Sequence, residues 1–275
     1  MGYRLQTEAV LESGREVKYV NAPFDIASKL ITEAKGKHIT AEELANARRQ
    51  FPKYHSLNDN GSYTRAGFVY KKGNNPIRAS LSPLVQHVEL AKLAVEANGQ
   101  DRYFTTQDAK VYDELREMAD EDKKRKIIPA ERRAMLLPSR GRFYVSPDEN
   151  PDFFELIFGE NGREYLKFTG FPKIAVDPVS QNVVDNQEGT LLTQEWLRRL
   201  GDESDVGGDD WDLNYGDRVR GVFEKTGEAG RAEKTMLQGT KLPYTLKEVA
   251  RIQNKVSKLE AELGKVSAFL AKLRK

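Results

Sequence analysis

The chain has 275 residues, of which 39% are hydrophobic and 31% charged, and its formal net charge is +2 at pH 7. This length allows one large domain or two smaller ones, and the high charged content predicts extended solvated surfaces. The absence of cysteine excludes disulfides, thiolate metal sites and cysteine nucleophiles. No apolar run reaches the ~18 residues of a membrane span, so we expect no membrane partner and a cytoplasmic protein, or one in a particle assembled in the cytoplasm.

The N-terminal segment carries local signals for a hairpin and two helices. A Ser-Gly turn predicts a β-hairpin over residues 3–21, for which a short helix over 5–11 is the alternative. Apolar residues at helical spacing predict a helix from Phe24. Thr40 and Glu43 form a capping box, which predicts the start of a second helix.

Residues 46–78 combine seven basic residues, against Asp59 as the single acidic one, with interleaved aromatic rings. The pattern predicts a β-hairpin over 62–78 that turns at 73–75. In one interpretation the rings are exposed and stack on the bases of single-stranded nucleic acid, while the cations contact phosphates. In the alternative the rings face the core and the cations form a solvated face. The candidate nucleic-acid-binding residues are Arg65, Lys71, Lys72 and Arg78, with Tyr63, Phe68 and Tyr70.

Two further helices are predicted before residue 127. The first runs from the capping residue Ser82 to Asn98, and its nearly continuous apolar surface predicts the centre of the core, with His87 as a structural residue. The second starts at Thr105 or Thr106 and ends in a basic run. Residues 123–142 contain eight basic residues and one acidic residue, which makes them a second candidate surface for nucleic acid or an acidic partner.

The following segment is predicted to be rich in β-structure. An Asn-Gly pair between two apolar runs predicts a hairpin turn near residue 161. The predicted elements are strands over 143–145, 153–158, 164–168, 171–176, 183–184 and 218–223, and a short helix over 191–200.

Residues 202–217 contain seven acidic residues and no basic one. Three interpretations of this stretch are open. It forms a solvated loop, it pairs with a basic stretch in the same or another subunit, or it binds Ca²⁺ through Asp210, Asp212 and Asn214. The calcium pattern is incomplete, because Gly216 comes one place late and Gly221 stands where a bidentate Glu is needed. A carboxylate or metal enzyme would require Asp209, Asp210 and Asp212 to converge in a pocket.

Motifs for other chemistry are missing from the sequence. It contains no phosphate-binding loop, no dinucleotide-binding turn and no nucleophile elbow. With three scattered histidines, acid–base chemistry would depend on carboxylates, and no pair of them is identifiable. The sequence therefore identifies no catalytic residue, no metal ligand and no cofactor.

The C-terminal segment has the strongest pattern in the chain. Thr245 and Glu248 form a second capping box, and the apolar residues that follow alternate in steps of three and four, as in a coiled-coil heptad. The e and g positions are polar apart from Phe269. This stripe is narrower than that of a helix packed on its own globular body, which favours partner helices over intrachain packing. The predicted seam consists of Val249, Ile252, Val256, Leu259, Leu263, Val266, Leu270 and Leu273.

These observations predict an α+β fold with mixed helices, antiparallel β-hairpins and a C-terminal amphipathic coiled-coil helix. We expect a non-catalytic structural or scaffold subunit of a larger complex, such as a virus particle, that oligomerises with itself or other subunits through this helix. The alternative is a single-stranded nucleic-acid-binding protein that uses the hairpin 62–78. The predicted regions are 1–140, mainly helical with the basic hairpin; 141–223, rich in β-structure with the acidic loop 202–217; a linker over 224–244; and the coiled-coil helix over 245–275.

Overall fold

The computed structural model describes residues 2–99, 104–107, 110–179, 188–200, 205–209, 213–214 and 218–224. Residues 1–224 make up one compact unit. In its described part, helices accompany a mixed β-sheet, which confirms the α+β class. The strand predicted over 183–184 and almost all of the predicted linker and coiled-coil helix lie outside the described residues.

The secondary-structure elements are numbered in chain order. The strands are β1 Gln6–Val10, β2 Glu16–Asn21, β3 Lys37–His38, β4 Ser62–Lys71, β5 Ile77–Ala79, β6 Thr105–Thr106, β7 Ala134–Leu136, β8 Phe143–Val145, β9 Ile174–Asp177, β10 Thr190–Leu197, β11 Val206–Asp209 and β12 Arg218–Phe223. The helices are α1 Phe24–Glu33, α2 Ala41–Arg49, α3 Ser56–Asp59, α4 Pro83–Gln86, α5 Val88–Asn98, α6 Lys110–Lys124, α7 Pro151–Phe158 and α8 Gly162–Thr169, with a 3₁₀ turn at Pro129–Glu131.

The strands of the described residues join in one sheet. Its main order is β1-β2-β12-β4-β10-β11-β9-β8, while β3 pairs with β12, β6 with β10, and β5 with both β4 and β7. The β12–β4 and β11–β9 pairs are parallel and the others antiparallel. The long pair β4–β10 joins residues from both sides of position 140, so the two predicted regions contribute to the same sheet.

The two faces of β4 pack into different hydrophobic clusters. Phe68 belongs to a cluster that includes residues of α2, α7 and α8, whereas Val69 belongs to one that includes residues of α1, α5 and α6. Because consecutive strand residues point to opposite faces, the sheet lies between these two helical layers. Both faces of its central strands are therefore covered.

The local signals near the N-terminus are confirmed. β1 and β2 form the predicted antiparallel hairpin. The capping box of α2 is complete, since the Glu43 backbone N–H donates to Thr40 Oγ1 at 3.0 Å and the Thr40 N–H donates to Glu43 Oε2 at 3.1 Å. β4 and β5 form the predicted second hairpin, with Gly67 opposite Ala79.

The hairpin predicted around residue 161 is wrong, because this segment forms α7 and α8. Pro151 occupies the first turn of α7, and Gly159, with φ 62°, ends it. α8 ends at Gly170, which adopts φ 85°. Five of the eight residues of α7 are buried, so its apolar run shows neither helical nor strand periodicity.

Two predicted helices are also corrected. The segment predicted as a helix over 191–200 contains β10, whose residues are nearly all buried because both faces are covered, so the alternation that marks a strand is lost. The helix predicted from Ser82 divides at His87 into α4 and α5. It lies at the surface, with Val88 55% exposed, and is not the centre of the core. The next predicted helix starts at Lys110.

Candidate interaction surfaces

The rings predicted to stack on nucleic acid lie in the core. Tyr63, Phe68 and Tyr70 are 1%, 1% and 3% exposed. The Tyr63 ring meets Trp196 edge-on at 4.7 Å and Phe24 at 5.4 Å, measured between ring centroids. This is the alternative in which the aromatic residues of the hairpin face inward, and it leaves no ring of the three open to a base.

The four predicted cations of the hairpin have different environments. Arg78 is buried and forms an ion pair with Glu195. Lys71 Nζ lies 3.0 Å from Asp113 Oδ1, and the partly buried Arg65 donates from Nε to a backbone carbonyl. Lys72 is the exposed member of the set. The hairpin therefore presents much less free positive charge than its sequence indicates.

The Arg78–Glu195 pair is the centre of a buried polar cluster at a bulge between β4 and β10. Arg78 contacts both carboxylate oxygens, with Nη2 2.9 Å from Oε1. Thr64 Oγ1 donates to Oε1 at 2.7 Å, and Arg78 Nη1 donates to the Leu156 carbonyl at 3.4 Å. A buried charge is tolerated when its partners satisfy it in this way, and removing one partner would leave the other charge buried and unpaired.

A second buried cluster surrounds Glu8 on β1, the strand at one end of the main sheet order. Arg220 donates from Nε and Nη2 to its two carboxylate oxygens at 2.6 and 2.9 Å, and Arg218 Nη1 donates at 2.7 Å. Burial raises the pKa of Glu8, but the hydrogen bond and charge of Arg220 outweigh this effect, so the pKa lies below its usual range.

Arg48, one of the seven basic residues of the segment 46–78, is fully buried and belongs to the core. Its guanidinium donates to the carbonyls of Leu57 and Asn60 and to the Tyr165 hydroxyl, at 2.9, 3.0 and 3.0 Å. One sequence signal identifies it. Arg48 is four residues after Leu44 on α2, and therefore lies on the apolar face of that helix.

The second basic stretch, 123–142, keeps part of its charge exposed. Arg132 pairs with Asp152, Arg133 with Asp122 and Arg142 with Asp177, all within the chain. The other members are exposed, and four of them form no ion pair in the described part of the chain. These four are Lys123, Lys124, Lys126 and Arg140. They lie at the end of α6 and in the segment that follows it, and we call them together the basic end of α6.

The acidic stretch is described only in part. Asp205 is buried, and its carboxylate lies 3.2 Å from Arg198 and 4.0 Å from Arg142. Because Arg142 belongs to the basic stretch 123–142, one residue of the acidic stretch pairs with that stretch within the chain. The predicted calcium ligands Asp210 and Asp212, and the side chain of Asp209, lie outside the described residues. Within the described ranges, no group of three or more His, Asp or Glu side chains is placed to hold a metal ion.

The predicted seam, from Val249 to Leu273, lies outside the described residues and stays a prediction. In the part of the chain that the structure describes, no helix is both long and apolar enough to cross a membrane.

Comparison with known proteins finds a distant structural similarity. No protein-family model and no curated protein matches the chain. A solved structure described as "Accommodation of massive sequence variation in Nanoarchaeota by the C-type lectin fold" is similar with a TM-score of 0.49 and 15% sequence identity. The similarity covers 79% of this chain and 100% of that one. At this level it assigns no family.

Proposed function

We propose that this chain is a non-catalytic assembly subunit, such as a component of a virus particle, that oligomerises through a helix over 245–275. The observation that carries the proposal is the heptad seam, in which eight apolar residues occupy every a and d position from Val249 to Leu273. The e and g positions, which are polar apart from Phe269, leave a narrow stripe that is typical of helix association. Association of these helices would then bring several copies of the body, residues 1–224, into one assembly.

Charged contacts between subunits are the second element of this proposal. The basic end of α6 is exposed and unpaired within the described residues, which suits a contact with an acidic protein surface. The acidic residues of the stretch 202–217 in another copy are a candidate for that contact. Such rim charges are expected to affect association rate and partner choice more than affinity.

The oligomeric state of the full chain tests this proposal. Native mass spectrometry is expected to show an oligomer for the full chain and a monomer for a chain that stops at Leu242. The double substitution Leu259→Glu and Leu263→Glu removes two apolar seam residues per chain, each worth ~1.5–3 kcal/mol when buried, and should weaken association by roughly 100-fold or more.

The matched control is Ala261→Glu with Ala268→Glu, at the outward f positions of the same heptads. This variant carries the same added charge and should remain oligomeric. A full chain that is monomeric, or a seam variant that associates as tightly as the control, would refute the proposal.

A further inference from the structure

An exposed aromatic residue stands in the loop between α2 and α3, residues 50–55. Tyr54 is 83% exposed, more than the other exposed large hydrophobic side chains of the described residues. The loop around it is held on both sides. Asn58 Nδ2 donates to the carbonyls of Phe51 and Pro52 at 3.3 and 2.8 Å, and His55 Nδ1 accepts from the Leu57 N–H at 3.2 Å. Tyr54 is therefore a ring presented to solvent by an anchored loop.

Another ring of this loop is fixed by stacking. Phe51 stacks on His55 with 4.4 Å between ring centroids and an interplanar angle of 25°. This pair packs at the edge of the core, where Phe51 is partly buried. The stacking leaves Tyr54 as the member of the loop whose ring is free to bind a ligand.

The loop lies beside α8. Lys53 Nζ is 5.8 Å from the centroid of the Phe168 ring, which is partly buried on this helix. Lys53 is exposed and forms no ion pair in the described part of the chain. Lys53, next to Tyr54 in the chain, thus lies beside a ring from a segment more than 100 residues away in the sequence.

A groove also lies beside α8. It has a volume of about 550 Å³ and is lined by Arg163, Lys167 and Phe171, with Asp148 and two prolines at its wall. Arg163 and Lys167 are four residues apart and therefore share one helix face. Lys167 pairs with Glu164 at 2.8 Å, whereas Arg163 is exposed and has no hydrogen-bond or ion-pair partner among the described residues.

Loop 50–55 presents the exposed Tyr54 ring and the cation Lys53, and the adjacent α8 presents the exposed Arg163. An exposed ring with nearby cations can bind a flexible polyanion with planar bases. A duplex hides the faces of its bases in the stack, so the exposed ring favours a single strand. We infer that loop 50–55 and the outer face of α8 bind single-stranded nucleic acid, with a base stacked on Tyr54 and phosphates contacted by Lys53 and Arg163. The proposed site is distinct from the hairpin 62–78, whose rings are buried.

Fluorescence anisotropy of the full chain with a labelled oligothymidylate of about 20 nucleotides tests the inference. Replacing one stacking ring is expected to weaken binding by about 5- to 150-fold, so Tyr54→Ala should fall in this range. Tyr54→Phe keeps the ring and should bind like the unchanged chain. Tyr3→Ala removes another exposed tyrosine, 51% exposed and on the N-terminal side of β1, and should have no effect.

The salt dependence of binding tests the phosphate contacts. Each contact to a single strand contributes about 0.7 to the slope of log K against log salt, so Lys53→Gln and Arg163→Gln should each reduce the slope by about this amount. Lys72→Gln on the hairpin and Lys124→Gln on the basic end of α6 are matched controls and should leave it unchanged. The seam variant should keep the slope per chain, because the site does not depend on oligomerisation.

Three results would overturn the inference. The first is no binding at low salt. The second is binding that Lys72→Gln or Lys124→Gln weakens while Tyr54→Ala does not, which would place the strand elsewhere. The third is an altered oligomer mass for Tyr54→Ala with unchanged oligonucleotide affinity, which would make the surface a subunit contact.

Discussion

His38 should make the stability of the protein depend on pH. It lies in β3, is 5% exposed, and neither of its ring nitrogens has a hydrogen-bond partner among the described residues. Burial, together with the charge of Arg65, lowers the pKa of His38 from its ordinary value of 6.5 to about 4. Between these two values the unfolded chain binds a proton that the folded chain does not. The free energy of unfolding therefore falls as the pH decreases from 6.5 to 4.

The size of this effect follows from the lowering of the pKa. At about 1.4 kcal/mol per pKa unit, a shift from 6.5 to about 4 corresponds to roughly 3 kcal/mol of unfolding free energy. His38→Leu removes the titrating group and leaves an apolar side chain beside Phe24, whose ring lies 6.0 Å from that of His38. We expect the variant to gain about 3 kcal/mol relative to the unchanged chain between pH 7 and pH 4.

Urea unfolding of the full chain at a fixed protein concentration, measured at pH 7, 6, 5 and 4, gives this difference directly. Contributions from Glu8 and other carboxylates are present in both proteins and cancel. His87→Leu replaces an exposed histidine and serves as the control. A constant difference between His38→Leu and the unchanged chain across this pH range would refute the reasoning.

Two other substitutions test the buried polar cluster and the helix cap. Glu195→Gln leaves the Arg78 guanidinium buried beside a neutral amide and should lower the free energy of unfolding by about 3–5 kcal/mol in urea titrations, whereas Glu188→Gln, at an exposed position, should change it by less than about 0.5 kcal/mol. Equal effects of the two would argue against a buried pair. Thr40→Ala should cost about 1 kcal/mol in thermal or urea unfolding, because the Glu43 N–H loses its acceptor, while Thr40→Ser keeps the oxygen and most of the stability. A serine variant as unstable as the alanine variant would exclude the cap as the cause.

The sequence predicted those elements whose interactions lie within a few residues. The capping box at Thr40 and Glu43 joins groups three residues apart, and the hairpin β1–β2 closes through a short turn. Such contacts form from local backbone geometry, so a short window of sequence contains them. The strand pair β4–β5 was predicted for the same reason.

The candidate sites were predicted less well, because burial decides which cations and rings are free. Tyr63 and Tyr54 both lie in the basic aromatic segment 46–78, and one is buried while the other is exposed. Arg78 finds its carboxylate partner 117 residues away, in a segment that was predicted as a helix. The groove beside α8 was missed, since that helix was predicted as a strand.

By itself, the sequence determined the α+β class, the helix cap, the two hairpins and the heptad pattern, because each depends on neighbours along the chain. The tertiary structure alone decided that residues 190–197 form a central strand, that α7 and α8 are helices, and that Arg78 lies inside. The physical reason is that burial and charge pairing depend on residues that are distant in the sequence. An element buried on both sides loses the polar–apolar alternation that identifies it, and a charge is neutralised by partners that only the fold brings near.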